Sequence, residues 1–322
     1  MKNVKHYVGI DISKDSFDVY REDQGFDKFT NDASGFSSFL KSLDSTSYCV
    51  MEVTGSYHLL LARYLYDHDI AVSVVNPLII KRYIQMKLHH TKTDKSDAKM
   101  IAGYAMEQQL SLWQPEPSHI HDCKMLQTSI EVYFKQSTAL KNKVHSLAAK
   151  GVVSGVLVRS LKRQIGRIKQ EIMKLEAELE NLLKEHEQQL LTNIVSIPGI
   201  GKKTALLLIA NTNGFRSFEN HRQLTAFFGL APRERSSGTS IRGRARITKS
   251  GMPKVRNHLF MCSFTACECN PQCKALYTRI VAKGKSKKLA LIAVANKLLK
   301  QAFAIAKSGL IYHPEYRSVL TN

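Results

Sequence analysis

At 322 residues the chain is long enough for two or three domains, and 43% hydrophobic with 8% aromatic content fits a globular protein with real cores. No apolar run approaches the roughly 20 residues that span a bilayer, and the start, MKNVKHYVGID, has no apolar leader, so the expectation is a cytoplasmic protein without a membrane partner. The net charge of +20 is uneven: residues 1–110 carry 13 Lys/Arg against 14 Asp/Glu, and the remainder carries 34 against 13. Solubility needs no such asymmetry, which suggests a polyanion held by one part of the chain and worked on by another.

In chain order, residues 5–11 (KHYVGID) predict a buried strand ending on an acid, and 16–20 (SFDVY) and 27–30 (DKFT) two further short strands. Residues 47–52 (SYCVME) are another apolar run ending on an acid, followed by Thr54 and Gly55. A helical pattern runs from Tyr57 to Asp67, a strand over Ala71–Val75 closes at Asn76-Pro77, and the pattern is helical again from Asp94. Early strands, then alternating helix and strand, then a helix is the order of a ribonuclease H-like (RuvC-like) α/β domain.

Residues 161–182 set Leu161, Ile165, Ile168, Ile172, Leu175, Leu179 and Leu182 at alternating steps of four and three. This heptad seam suits a helix packed within one chain and a coiled coil between two chains equally well. Beyond Leu191 come short helices and Gly-rich turns, and residues 286–307 predict a long helix with a Leu/Ala/Ile face. The expected fold is α/β then all-α: an α/β domain over 1–110, a helical connector with a coiled-coil segment over 111–190, and a helical domain over 191–322. Cys49 and Cys123 stand alone, and Cys262, Cys267, Cys269 and Cys273 match no standard zinc spacing, so all six read as reduced thiols.

Four acids stand out. Asp11 ends the first strand, Glu52 ends a later one, and Asp94 and Asp97 lie three apart in TKTDKSDAKM, a spacing that shares a helix face. Functional groups in open α/β sheets gather at the carboxyl ends of strands. Acids converging there repel unless cations separate them, and hard oxygen ligands select Mg²⁺ or Mn²⁺. Two such ions about 4 Å apart clamp the attacking and leaving oxygens of a phosphoryl transfer. Lys92 and Lys95 flank Asp94 and suit phosphate contact or plain solvation.

GIDISKD, MEVTGSY, VVNP and TKTDKSDA together resemble the RuvC-like DEDD domain of the insertion-sequence one-ten family of transposases, which is related to Piv-type DNA invertases. The resemblance continues over nearly the whole chain. It implies breakage and rejoining of DNA strands, guidance by a structured RNA from the element's own end, and assembly as a dimer or tetramer. Two other expectations compete with it: a Holliday-junction-resolving endonuclease, which uses the acids alone, and a Piv-type invertase.

Two further motifs lie in the basic half. IVSIPGIGKKTALLLI at 194–209 puts Gly199 and Gly201 in a tight turn before Lys202, Lys203 and Thr204, a helix-hairpin-helix pattern whose helix N-terminus and lysines attract phosphate. Residues 231–257 hold eight Lys/Arg and one acid. There Arg233, Arg242, Arg244, Arg246 and Lys249 surround Ser236, Ser237, Thr239 and Ser240, a composition suited to DNA or RNA phosphates. The residues alone do not choose among these hydroxyls. The resemblance implies that Ser237, in Ser237-Gly238-Thr239-Ser240-Ile241-Arg242-Gly243, forms a covalent link to DNA, with Ser236 next in line.

Overall fold

The structure, a computed structural model, describes residues 6–88, 94–151, 154–233, 236–237, 241–242 and 246–315; for Asp94, Lys95, Ser236, Ser237, Ile241 and Arg242 it describes the backbone alone. The chain divides into two compact units, Met1–Pro115 and Glu116–Asn322.

The first unit is built from β1 (His6–Ile12), β2 (Ser16–Arg21), β3 (Gly25–Thr30), α1 (Ala33–Leu40), β4 (Ser47–Glu52), α2 (His58–Asp67), β5 (Ala71–Val75), α3 (Pro77–Met86) and α4 (Asp94–Glu107). Its sheet has the order β3-β2-β1-β4-β5, antiparallel on the β3-β2-β1 side and parallel from β1 through β4 to β5. Side chains alternate across it. Val8, Ile10 and Ile12 join Phe17, Val19, Cys49 and Met51 on the face covered by Phe36 and Phe39 of α1 and by Leu61 and Leu65 of α2. The opposite face presents Tyr48, Val50 and Val75 to Ile80 of α3 and Ile101 and Ala105 of α4. The result is a mixed α/β unit of three layers, compatible with the ribonuclease H-like order expected.

Helices α1 and α3 were not apparent in the sequence pattern. Their starts are fixed by caps: Asp32 accepts from the Gly35 N–H at 2.9 Å, and Asn76 accepts from Leu78 N–H at 2.9 Å with Pro77 in the first turn.

The second unit opens with two long helices, α5 (Ser118–Ala149) and α6 (Gly155–Val195), which pack together as a helical hairpin. Ile172, Leu179 and Leu183 of α6 are buried in one core with Ile120, Cys123 and Ile130 of α5, and Ile168, Leu175 and Leu182 flank them. From Ile168 onward, then, the heptad seam is used within the chain. Leu161 and Ile165 are half-buried and lie outside that core. α6 kinks at Glu187 (φ −135°, ψ 30°), whose buried carboxylate accepts from Arg216 at 2.5 and 3.1 Å.

There follow α7 (Lys202–Asn211), α8 (His221–Phe227), the short strands β6 (Pro232–Arg233), β7 (Ser236–Ser237), β8 (Ile241–Arg242) and β9 (Arg246–Ile247), then α9 (Pro253–Cys269), α10 (Pro271–Ala282) and α11 (Lys287–Ser308). α11 has the length and apolarity to cross a membrane, but Val294, Leu298, Leu299 and Ala302 sit in the same core as α7 and α9, so it is the central helix of this unit.

Candidate active site and nucleic-acid interface

The carboxylate site follows from strand register. β1 and β4 run parallel with Gly9 beside Val50 and Ile10 beside Met51, so one step further Asp11 lies beside Glu52. Neighbouring strands are about 4.8 Å apart. By the alternation, Asp11 and Glu52 share the face that carries Gly9 and Val50, which is the α4 face. Gly9 is required there: a Cβ on it would stand 2.1 Å from the Ala98 carbonyl and 2.5 Å from the Ala102 nitrogen.

Two levels along the strands fix the direction of α4. Tyr48, two residues before Val50, donates its hydroxyl to the Leu110 carbonyl at 3.5 Å, past the C-terminus of α4, whereas Gly9 meets the Ala98–Ala102 turn. α4 thus runs opposite to β1 and β4, and its first turn, Asp94 to Asp97, lies at the Asp11 and Glu52 end of the layer. Asp11, Glu52 and Asp97 are all half-buried, and each takes part in an interaction. Among the described residues no three His, Cys, Asp or Glu side chains close to metal-holding distance. Asp11 and Glu52 are brought to neighbouring positions and Asp97 to the same end, while the Asp94 side chain and all of Lys92 lie outside the described residues.

The register adds an acid that sequence reasoning missed. Asp18 of β2 pairs directly with Asp11, and it is nearly buried, with Lys28 of β3 at 3.4 Å. The signal was present in SFDVY, where Phe17 and Val19 face the core and an acid between them must face the other way. What was invisible is that this other face is the acid face.

In the second unit, the predicted Ser/Gly stretch carries two short antiparallel strand pairs, a broken ribbon. Pro232 pairs with Ile247 and Arg233 with Arg246, then Ser236 with Arg242 and Ser237 with Ile241. Among the described residues Ser237 is therefore on the last rung, separated in sequence from its partner Ile241 by Gly238, Thr239 and Ser240. Those three residues and Arg244 lie outside the described residues. Arg233 and Arg246, opposite one another, and Lys249 are exposed.

The root of the ribbon is tightly seated. Gly229 (φ +67°) and Gly251 (φ +75°) cross so closely that a Cβ on either would stand 1.9 Å from a backbone oxygen, that of Ser250 or of Phe227. Arg256 donates to the Phe228 and Ser250 carbonyls at 3.1 and 2.9 Å, and Asn296 of α11 donates to the Leu230 carbonyl at 2.9 Å.

The PGIG residues form a turn before α7, in an unexpected electrostatic setting. Gly199 (φ +101°) lets the turn press on Ala266 of α9, and Gly201 caps α7. Lys202, however, donates to Glu180 at 2.9 Å and Lys203 to Glu176 at 2.8 Å, both on α6, while Thr204 is buried against Cys262. Lys202 and Lys184 hold the Glu180 carboxyl below its usual range, the Lys184 bond first. Exposed pairs of this kind are worth roughly 0–1 kcal/mol, so phosphate can displace them at little cost.

Comparison with known proteins decides the family. Residues 8–151 match a model of IS110-type DEDD proteins described as "Transposase", and residues 191–278 match one described as "Transposase IS116/IS110/IS902 family". The chain is similar to the pilin gene-inverting proteins of Moraxella bovis and Moraxella lacunata, each 30% identical over 321 residues, covering 95% of this chain and 97% of the relative. It is also similar to the transposase for insertion sequence element IS1111A of Coxiella burnetii, 26% identical over 267 residues, 74% of this chain and 71% of the relative. This chain belongs to the IS110 family of transposases. Family members cleave and rejoin DNA, and all four acids and Ser237 of this IS110 protein fall inside the matched segments.

Proposed function

We propose that this IS110-family protein recombines DNA through a covalent phosphoserine on Ser237, with Asp11, Glu52, Asp94 and Asp97 holding Mg²⁺ or Mn²⁺. The observation that carries the reading is the adjacency of Asp11 and Glu52 at the carboxyl edge of the sheet, below the first turn of α4. An all-oxygen donor set of clustered carboxylates fits a hard divalent ion. Bound there, the ions supply charge neutralisation at the oxygens of the reacting phosphate.

The rest of the chemistry belongs to side chains. The Ser237 oxygen attacks phosphorus, one P–O ester bond of the DNA is exchanged for a Ser–O–P bond, and the released sugar oxygen takes a proton. Rejoining reverses the exchange with a hydroxyl of another strand. The arginines of this stretch of sequence, Arg233, Arg242, Arg244 and Arg246, stabilise the phosphate charge that builds up during both steps. The PGIG turn, with Lys202 and Lys203, and Lys249 serve backbone binding without reading sequence. Because these are backbone contacts, target choice is assigned to a structured guide RNA, and the chain acts as a homo-oligomer, a dimer or tetramer. The pilin gene-inverting relatives support inversion as one outcome of the same chemistry.

The test is metal-dependent DNA cleavage. Asp11→Asn, Glu52→Gln, Asp94→Asn and Asp97→Asn each remove it without unfolding the protein, and chelation does the same, reversed by Mg²⁺ or Mn²⁺. Full cleavage by Asp11→Asn in chelator rules out the metal reading. For the guide, ribonuclease treatment abolishes sequence-specific DNA capture and leaves salt-sensitive binding; undiminished specificity without RNA rules it out.

A further inference from the structure

Beside the ribbon root, a groove of about 1050 Å³ opens between β6 and β9 on one side and α10 and α11 on the other. Its floor is apolar: Leu230, Ile247, Leu276, Leu289 and Ile292. Its rim carries Arg246, Lys249, Arg279, Lys288, Lys297 and Lys300, and among the described residues no Asp or Glu lines it. Among the described residues none of these six cations is ion-paired to a carboxylate, in contrast to Lys202 and Lys203 at the PGIG turn. The cations also crowd one another: burial, then Lys297 and Arg222, push the Lys300 ammonium below its ordinary pKa. Basic side chains gathered without counter-charge destabilise the free protein and are relieved by an anion.

The floor narrows the anion. A duplex turns its phosphates outward and keeps its base faces stacked inside, so it gains nothing from Leu276, Leu289 and Ile292. An unpaired strand offers phosphates to the rim and base faces to an apolar floor together. A free phosphate or an acidic peptide meets only half of the lining.

We infer that this groove holds an unpaired polynucleotide segment beside the strand pair that precedes Ser237. This rests on the proposed recombinase reading, and it adds Arg279, Lys288, Lys297 and Lys300 to the nucleic-acid contacts, all on α10 or α11. The position supports this. Arg246 and Ile247, which line the groove, are paired with Arg233 and Pro232, a few residues in sequence before Ser237. The hydrogen bond from Asn296 to Leu230 ties the groove wall to the ribbon root. Unpaired DNA at a strand exchange and unpaired RNA of a guide share this chemistry.

The experiment uses the full chain stripped of copurifying nucleic acid. Binding is read by fluorescence anisotropy with three labelled probes, a 12-nucleotide oligo(dT), the matching oligo(rU) and a 12-base-pair duplex, the probe lengths being a design choice of roughly one binding site. The wild type binds an unpaired probe more tightly than the duplex, and the tighter of oligo(dT) and oligo(rU) names the source. Arg279→Glu with Lys297→Glu weakens unpaired-probe binding about tenfold or more and lowers the salt slope by about 1.4, the contribution of two single-strand phosphate contacts. Leu289→Ser, a change at a partly exposed floor position, weakens the unpaired probes several-fold and leaves the duplex unchanged. Circular dichroism melts establish that both variants fold. Wild-type affinities in both variants, or a wild type that prefers the duplex, overturn the groove assignment while leaving the recombinase reading intact. A wild type that binds no polynucleotide overturns both.

Discussion

Gly9→Ala tests the carboxylate site without touching a carboxylate. Its Cβ would stand 2.1 Å from the Ala98 carbonyl and 2.5 Å from the Ala102 nitrogen, both backbone atoms of α4 that no side-chain rotation can move. Normal non-bonded contacts lie near 3.5 Å, so α4 must retreat from β1 by on the order of 1 Å. Overpacking of this kind costs about 1–3 kcal/mol. In a unit of this size that lowers the melting temperature by roughly 5–20 °C.

The larger effect falls on chemistry. Asp94 and Asp97 ride on the displaced turn while Asp11 and Glu52 stay with the sheet, and an error of about 1 Å in such a site costs about 10²-fold in rate. The assay is Mg²⁺-dependent cleavage of a DNA substrate well below the variant's melting temperature. Gly103→Ala is the control on the same helix, where a new Cβ meets only the Tyr83 hydroxyl at 3.3 Å, a contact far milder than the 2.1 Å at Gly9. Wild-type cleavage and melting by Gly9→Ala would refute the docking of α4 on the acid edge.

Three further outcomes are expected. Gly251→Ala, which drives a Cβ into the Phe227 carbonyl at the ribbon root, abolishes strand transfer with retained helicity; normal transfer would show that the root does not position Ser237. Leu161→Asp with Ile165→Asp, outside the buried core, lowers particle mass in light scattering at an unchanged melting temperature, whereas unchanged mass assigns the whole seam to the single chain. Burial lowers the pKa of His58, so its unfolded form binds the proton more tightly than the folded form. Its contribution to stability is complete above the unfolded pKa of about 6.5 and is lost as the pH falls below it. His58→Phe therefore flattens the drop in melting temperature between neutral and mildly acidic buffer, and an unaltered slope would contradict this.

Much of the first unit was legible because its strands are short apolar runs with clear ends, and two of those ends are Asp11 and Glu52. The alternation that hides Phe17 and Val19 also dictates where Asp18 points, but pairing with Asp11 is a matter of register, which one strand cannot reveal. α1 was missed because ASGFSSFL is too short and rich in Ser and Gly for a periodic signal, and α3 because Asn76-Pro77 reads as a turn before it reads as a cap. In the basic half, strands of two residues show no alternation, so the ribbon looked like a loop. The neutralisation of Lys202 and Lys203 depends on Glu180 and Glu176, more than twenty residues upstream, and only the packing of α7 on α6 brings them together. The basic groove combines residues of the ribbon with α10 and α11, a grouping that composition alone does not separate from a uniformly basic surface.

Covalent capture tests the central claim most directly. A DNA substrate bearing a nick near the cleavage site lets the cut fragment diffuse away, trapping any protein–DNA ester for denaturing electrophoresis and peptide mass spectrometry. The account predicts a Mg²⁺-dependent adduct on Ser237 in the wild type and none in Ser237→Ala, although that variant still binds DNA and metal. Cleavage by Ser237→Ala at the wild-type rate, or free DNA ends without an adduct in the wild type, would contradict it and make water the nucleophile.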